Sequence, residues 1–356
     1  MAANMEFKEK LQFYCTGGMV SLAVALGEKL GLLQALDGVS SPSNPASAKV
    51  VAEAASCKER YVKEWLSTMA TADIIEVNDD ERFWIDAEKR KDLIETPCSP
   101  YARMSYVTTF GGVFEQLAEL MRIESPKLGL DYAQFDEYYK CRDVYTKALY
   151  GKHLIPNIVP DMGMTEALTN EISALDVGCG SGFHSLLMAR HFPKSFFYGI
   201  DISENALKIA VDHAEEDGLK NTNFSNHYAE ALPKDWGEKF ELVTLFDSCH
   251  DQMRPDLSVR EAYRVLKPGG VLAVVEIDGT GNTKEDKEKD SLRAAMFYGS
   301  SLFHCLPVAS NSPDALGLGT MWGRPKASRL LLDAGFSNIQ AKPLSYIANV
   351  LYLARK

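Results

Sequence analysis

From Met19 to Leu36 apolar residues recur at three- and four-residue steps, in MVSLAVALGEKLGLLQAL, a spacing that predicts an amphipathic helix. The polar tract SSPSNPAS interrupts it and supplies an N-cap for a second helix over AKVVAEAAS. A third helix is expected in CKERYVKEWLSTMA, followed by two short strands around the turn Asn78-Asp79-Asp80-Glu81. Helix, turn, helix and hairpin make a winged-helix pattern, mainly helical, over residues 1–95.

Residues 96–165 keep a helical tendency and carry many aromatics, among them Tyr101, Tyr106, Phe110, Phe135, Tyr138 and Tyr150. This helical connector is expected to join two domains and cover a pocket, although core packing accounts for its aromatics equally well. From Ile172 the pattern changes: strand-like runs ISALDV, SFFYGID, NFSNHY, FELVTLF and GVLAVVEI alternate with helical segments. That alternation predicts an α/β domain over residues 166–356, a Rossmann-like doubly wound sheet whose carboxyl edge binds the ligand. The closing stretch AGFSNIQAKPLSYIANVLYLARK predicts an antiparallel C-terminal hairpin at the sheet's rim. A long insertion precedes it and opens with GNTKEDKEKD, mixed charges expected on a solvated loop or helix face.

Charge narrows the partners. The 356 residues carry 49 acidic against 38 basic side chains, a formal net charge of -11, which repels nucleic acid and anionic membranes. The winged-helix region has the same bias, with 11 Lys and Arg against 16 Asp and Glu, so packing and homodimer formation suit it better than DNA binding. Cys15, Cys57, Cys98, Cys141, Cys179, Cys249 and Cys305 lie singly, with no CxxC, so neither a zinc knuckle nor a disulfide framework is legible. No signal peptide or membrane span is legible either, and a cytoplasmic protein is expected.

The candidate chemistry starts at ALDVGCGSGFHSLLMAR, where Gly178, Gly180 and Gly182 fall between a strand and a helix. Bare peptide there lets a ligand lie against the backbone, with the helix N-terminal amides turned toward it. Asp201 ends the next strand 19 positions after Gly182, the spacing of a carboxylate that accepts hydrogen bonds from ribose hydroxyls. The glycines are spaced GxGxG and Asp176 stands just before them; a carboxylate there opposes a pyrophosphate and suits an ammonium group. A ligand with a ribose and a positive charge is expected.

Through ALDVGCGSG, YGIDIS, AEALP and YRVLKPGGVLAVVE, residues 172–356 resemble class I S-adenosylmethionine-dependent methyltransferases. The resemblance implies that Asp176 and the loop Gly178, Cys179, Gly180 and Gly182 hold the methionine part of the cofactor. It places Asp201 and Ile202 at the ribose and adenine edge, and Ala229 and Glu230 near the adenine. Phe246, the last residue of FELVTLF, is counted with this cofactor-binding set. Tyr228 stands where family members often have an acid, either to stack on the base or simply to pack.

His250 and Asp251 follow the fourth strand in FELVTLFDSCHDQMRPD and are expected at the carboxyl edge. Methyl transfer from a sulfonium needs an aligned acceptor and, for a hydroxyl, a base; an imidazole oriented by a carboxylate suits that task. With the winged-helix front half, the HD pair resembles small-molecule O-methyltransferases that carry an N-terminal dimerisation domain. In that family the His is the base and a Trp usually follows the Asp, where this chain has Gln252. On a structural reading His250 instead caps the following helix or packs under a loop.

His304 is a second candidate histidine, and Met296, Phe297, Tyr298, Met321 and Trp322 form either an acceptor wall or core. His184 and His191 are seven positions apart and Cys249 adjoins His250, with no third ligand at suitable spacing, so no metal site is expected. The expected activity is methyl transfer to a small, hydroxylated or aromatic acceptor. A nicotinamide (NAD)-dependent oxidoreductase and a non-catalytic, cofactor-sensing winged-helix regulator stay open as alternatives.

Overall fold

A computed structural model describes residues 5–96 and 100–356 and resolves them into two compact units. One comprises residues up to Val113 together with Asp136–Ala148; the other comprises Phe114–Phe135 and Leu149–Lys356. The connector drawn at 96–165 is therefore divided between them, because its apolar residues feed different cores. Tyr106 and Phe110 pack on Tyr138 in the first unit, whereas Phe135, Tyr150 and Leu154 are buried in the second. Cys98 and the side chain of Tyr101 lie outside the described residues.

In the first unit, α1 (Phe7–Leu30) and α2 (Leu32–Val39) meet at Gly31, whose φ of 65° ends α1 in the left-handed conformation. α1 starts twelve residues before the predicted Met19, and its first half buries no apolar face: Phe7, Leu11 and Tyr14 stay exposed. Ser47 caps α3 (Ala48–Ala54) by accepting the Val50 N–H, and α4 (Glu59–Thr71) follows. A two-stranded wing of β1 (Glu76–Val77) and β2 (Phe83–Trp84) completes the pattern. Leu33, Leu36, Val51, Trp65, Leu66 and Met69 form the core. A Cβ on Gly27 would fall 2.4 Å from the Trp65 ring, so only glycine lets α1 lie against α4 here. On α4, Arg60 pairs with Glu64 and Lys63 with Glu81 on the wing (2.6 Å).

The second unit is built on a seven-stranded sheet of β3 (Ser173–Val177), β4 (Phe196–Asp201), β5 (Thr222–Asn226), β6 (Phe240–Phe246), β7 (Leu266–Ile277), β8 (Ser337–Leu344) and β9 (Asn349–Arg355). Their order is β5-β4-β3-β6-β7-β9-β8, with β3 to β7 parallel and β9 antiparallel to both its neighbours. The C-terminal hairpin is present, but β9 docks against β7 and leaves β8 at the rim. Central strands are apolar on both faces because both are covered. Leu175, Val243 and Leu245 enter one core and Ala174, Leu242 and Phe246 the other, alternating along the strands. Strand order reverses at β3, which makes the carboxyl ends of β3 and β6 the switch point where a doubly wound sheet binds ligands.

The charged run of the insertion is the start of a helix, Thr283–Ser300, whose N-cap Asn282 accepts the Lys284 and Glu285 N–H groups. One charge departs from the solvated expectation: Asp286 is buried and accepts hydrogen bonds from the Thr280 N–H and the Tyr298 hydroxyl (both 2.9 Å). Among the described residues no single helix is long and apolar enough to cross a membrane.

Candidate active site

The glycine loop leaves β3 at Val177 and is pinned to β4 by the Gly178 and Cys179 N–H groups, which both donate to the Ile200 carbonyl at 2.9 Å. Gly178, Gly180 and Gly182 have φ of 75°, 54° and 75°, a left-handed series that side chains resist. Their surroundings differ. A Cβ on Gly178 would meet Ser248 at 2.7 Å, and one on Gly182 would meet Ala210 at 2.8 Å and Phe224 at 2.9 Å, whereas nothing lies within 4 Å of a Cβ on Gly180. Two of the glycines are thus demanded by packing, and the middle one leaves the backbone open.

Asp201 closes the loop from the neighbouring strand: it accepts the Gly180 N–H (2.8 Å) on one oxygen and the Ser203 N–H (2.9 Å) on the other. Burial pushes its carboxyl up while those N–H groups hold it down. Asp176 lies beneath the loop, 3% exposed, and accepts the hydroxyls of Ser185 and Thr244, both at 3.1 Å. Thr244 is its register partner on β6. Burial is the main cause that lifts the Asp176 carboxyl to about 7, opposed by the two hydroxyls and reinforced by Asp201. No basic side chain among the described residues pairs with it.

Ile202, Tyr228 and Glu230 are exposed, and Ala229 is half-buried against the core. Phe246 is buried, stacked on His184 with ring centroids 4.2 Å apart and met edge-on by Tyr150. One face of its ring is thus taken by His184. Cys179 is buried as well.

Past β6 the chain turns at Asp247, whose φ of 49° is unusual for a residue with a side chain. Its carboxylate accepts the Tyr150 hydroxyl (2.9 Å) and the Asn349 amide (2.7 Å), and the Ser248 hydroxyl donates to the Val177 carbonyl (2.7 Å). The turn delivers His250, 4% exposed, to the carboxyl edge next to the glycine loop. There Glu276, near the end of β7 and fully buried, accepts the N–H groups of Cys249 (3.0 Å) and His250 (3.2 Å) on one oxygen. Its other oxygen is 2.5 Å from His250 Nδ1. His250 Nε2 faces Asp251 Oδ1 at 3.3 Å, and the Tyr132 hydroxyl donates to the Asp251 carbonyl at 2.6 Å. Burial works against the imidazolium, but the carboxylates of Glu276 and Asp251 outweigh it and hold the His250 pKa well above 6.5.

Glu276 and Asp247 are residues that sequence reasoning missed, and Tyr150, named there only as a connector aromatic, proves to hold Asp247. Of these two, Glu276 had a legible signal, as an acid inside the otherwise apolar run VLAVVEI. The third metal-type donor that spacing failed to supply also arrives through the fold: ligand atoms of His250, Asp251 and Cys305 lie within 4.8 Å of one another. His304 is buried against Phe135 and beside Cys305, and His184 sits among Tyr150, Phe183 and Phe246. Trp322 belongs to the main core, Met321 packs with Ile277, Phe297 and Tyr298, and Met296 stays partly exposed.

Residues 168–314 match a sequence family described as methyltransferase domain, and residues 18–94 match the Rv2258c-like winged HTH domain. A ubiquinone biosynthesis O-methyltransferase of Coxiella burnetii is 34% identical over 98 residues, which is 28% of this chain and 40% of that relative. Its counterpart in Pseudomonas fluorescens is 36% identical over 96 residues, again 40% of its length, so the chain spans about two-fifths of the curated relatives it matches. Solved structures resemble the chain from end to end. Human N-acetylserotonin methyltransferase in complex with SAM has a TM-score of 0.67 at 19% identity, covering 100% of this chain and 99% of its own. An O-methyltransferase family protein from Burkholderia thailandensis has a TM-score of 0.69 at 15% identity, covering 99% and 98%. Residues 168–314 are thus similar to a methyltransferase domain and residues 18–94 to a winged helix-turn-helix domain, and the chain shares its fold with solved methyltransferases.

Proposed function

We propose that this chain transfers a methyl group from S-adenosylmethionine to a hydroxyl of a small, fairly apolar acceptor, with His250 as general base. The observation that carries this is the pairing of His250 Nδ1 with the buried Glu276 at the same sheet edge as the glycine loop. The cradle suits the cofactor on three counts: backbone left open at Gly180, a ribose-type carboxylate at Asp201, and a buried Asp176 without a counter-ion beneath them.

On this reading Gly178, Cys179, Gly180 and Gly182 receive the methionine part through their backbone, and Asp176 supplies the opposite charge. Asp201 and Ile202 hold the ribose and adenine edge, Ala229 and Glu230 border the adenine, and Phe246 supports the floor from within the core. When bound, the cofactor supplies an electrophilic methyl group and leaves as a neutral thioether. His250 keeps its Nδ1 proton on Glu276, and Nε2, free of its own proton only above the raised pKa of the ring, is the nitrogen that takes the acceptor's hydroxyl proton. Asp251 lies beside that nitrogen and stabilises the imidazolium that results.

Incubation with methyl-labelled cofactor and a panel of phenols and hydroxylated heteroaromatics tests the reaction, and calorimetry with S-adenosylmethionine and with NAD tests the cofactor. Label transfer with selective binding of the first is expected; binding of NAD alone would overturn the assignment. The assembly that fits is a homodimer, since Phe7, Leu11, Tyr14, Leu22 and Leu26 on α1 expose an apolar stripe.

A further inference from the structure

We infer that His250, Asp251 and Cys305 form a binding site for a thiophilic divalent cation of the zinc type, distinct in chemistry from the cofactor cradle. Three donor types converge: an imidazole nitrogen, a carboxylate oxygen and a cysteine sulfur, all within 4.8 Å of one another. The two loops that bring them are anchored separately, one by Glu276 and the other within the helical segment Ser301–Cys305. Nitrogen, oxygen and sulfur together are the zinc donor set, bound at about 2.0–2.3 Å, so the ligands need to close by only about 1 Å around an ion.

Two further observations point to a cation. Glu276 already holds His250 Nδ1 at 2.5 Å, the carboxylate–histidine arrangement that fixes the tautomer and presents Nε2 as a ligand. Asp251 Oδ1 is sealed from solvent and has no hydrogen-bond donor, although Nε2 stands 3.3 Å away. A nitrogen, a carboxylate oxygen and a thiol that converge in a sealed pocket offer a shared positive ion three ligands. Coordination expels the Cys305 proton to solvent and leaves a fourth position for water. A bound ion also occupies the nitrogen that the proposed methyl transfer needs, so it inhibits; that consequence alone rests on His250 being the base.

The test is metal binding by the chelator-treated full chain, without cofactor or acceptor. Zinc is titrated against a chromophoric chelator, and cobalt is used as a probe because a thiolate ligand gives a charge-transfer band. One ion per chain and that band are expected. Cys305→Ser should abolish the band while Cys15→Ser, on the exposed half of α1, retains it; Glu276→Gln should weaken zinc by about 10–100-fold. Circular dichroism checks that each variant is folded, and a zinc-induced rise in the melting temperature of the wild-type protein provides a reading independent of any variant. A band that survives Cys305→Ser, or no binding by the folded wild-type chain at micromolar zinc, would sink the inference. Neither outcome bears on methyl transfer, which is measured separately.

Discussion

At the scale of single residues, the site depends on two buried carboxyl groups, both pushed up by burial and differing in their partners. Asp176 is paired with hydroxyls only, and its carboxyl is lifted to about 7. Its folded pKa lies above the unfolded value of 3.8, so the stability it contributes is fully present below that value and lost as pH rises through about 7. Ionised Asp176 is what a cationic ligand relieves. Affinity for S-adenosylmethionine is therefore expected to fall by up to about tenfold per pH unit below that value, and Asp176→Asn to flatten the profile; calorimetry across the range checks both. Glu276 is instead compensated by three donors from Cys249 and His250. His250→Ala is expected to lower turnover by about 10²–10⁴-fold with cofactor affinity nearly unchanged, and unchanged turnover on a true acceptor would remove His250 from the mechanism. Much of this was hidden in the sequence. His250 and Asp251 are legible because they follow an apolar strand, but Glu276 and Cys305 reach them only through strand pairing and a long insertion.

At the scale of elements, the glycine loop and its carboxylate were legible because both are local: a strand, three bare positions and an acid at the next strand's end. What spacing does not reveal is that the three glycines have different duties. Gly182→Ala meets Ala210 and Phe224, so a loss of about 1–3 kcal/mol is expected, read as a lower midpoint in thermal or urea unfolding. Gly180→Ala meets nothing, so the backbone strain of about 1–2 kcal/mol is its main structural cost, while cofactor binding is expected to weaken by at least about tenfold. A Gly180→Ala protein that binds the cofactor normally would show that the open backbone is not the cradle. The connector was the least legible element. Its aromatic richness is clear in the sequence, but which core receives each ring depends on the excursion Phe114–Phe135 into the second unit.

At the scale of the whole molecule, the α/β class and the winged-helix pattern follow from periodicity, and the main departure is at the sheet's far side. The exposed stripe on α1 argues for self-association: Leu22→Glu with Leu26→Glu is expected to convert a dimer to monomer in sedimentation, leaving the second unit's melting unchanged. The placement of β9 between β7 and β8 has a consequence for biogenesis. β8 leaves the ribosome before the strand that attaches it, so until residues 349–355 emerge β7 presents a bare edge and β8 has nowhere to dock. Asn349, which steadies Asp247 and hence the turn that carries His250, belongs to that same late segment. A chain that lacks that segment would hold an open sheet edge and a turn at Asp247 short of one hydrogen bond, with His250 kept in place by Glu276 alone.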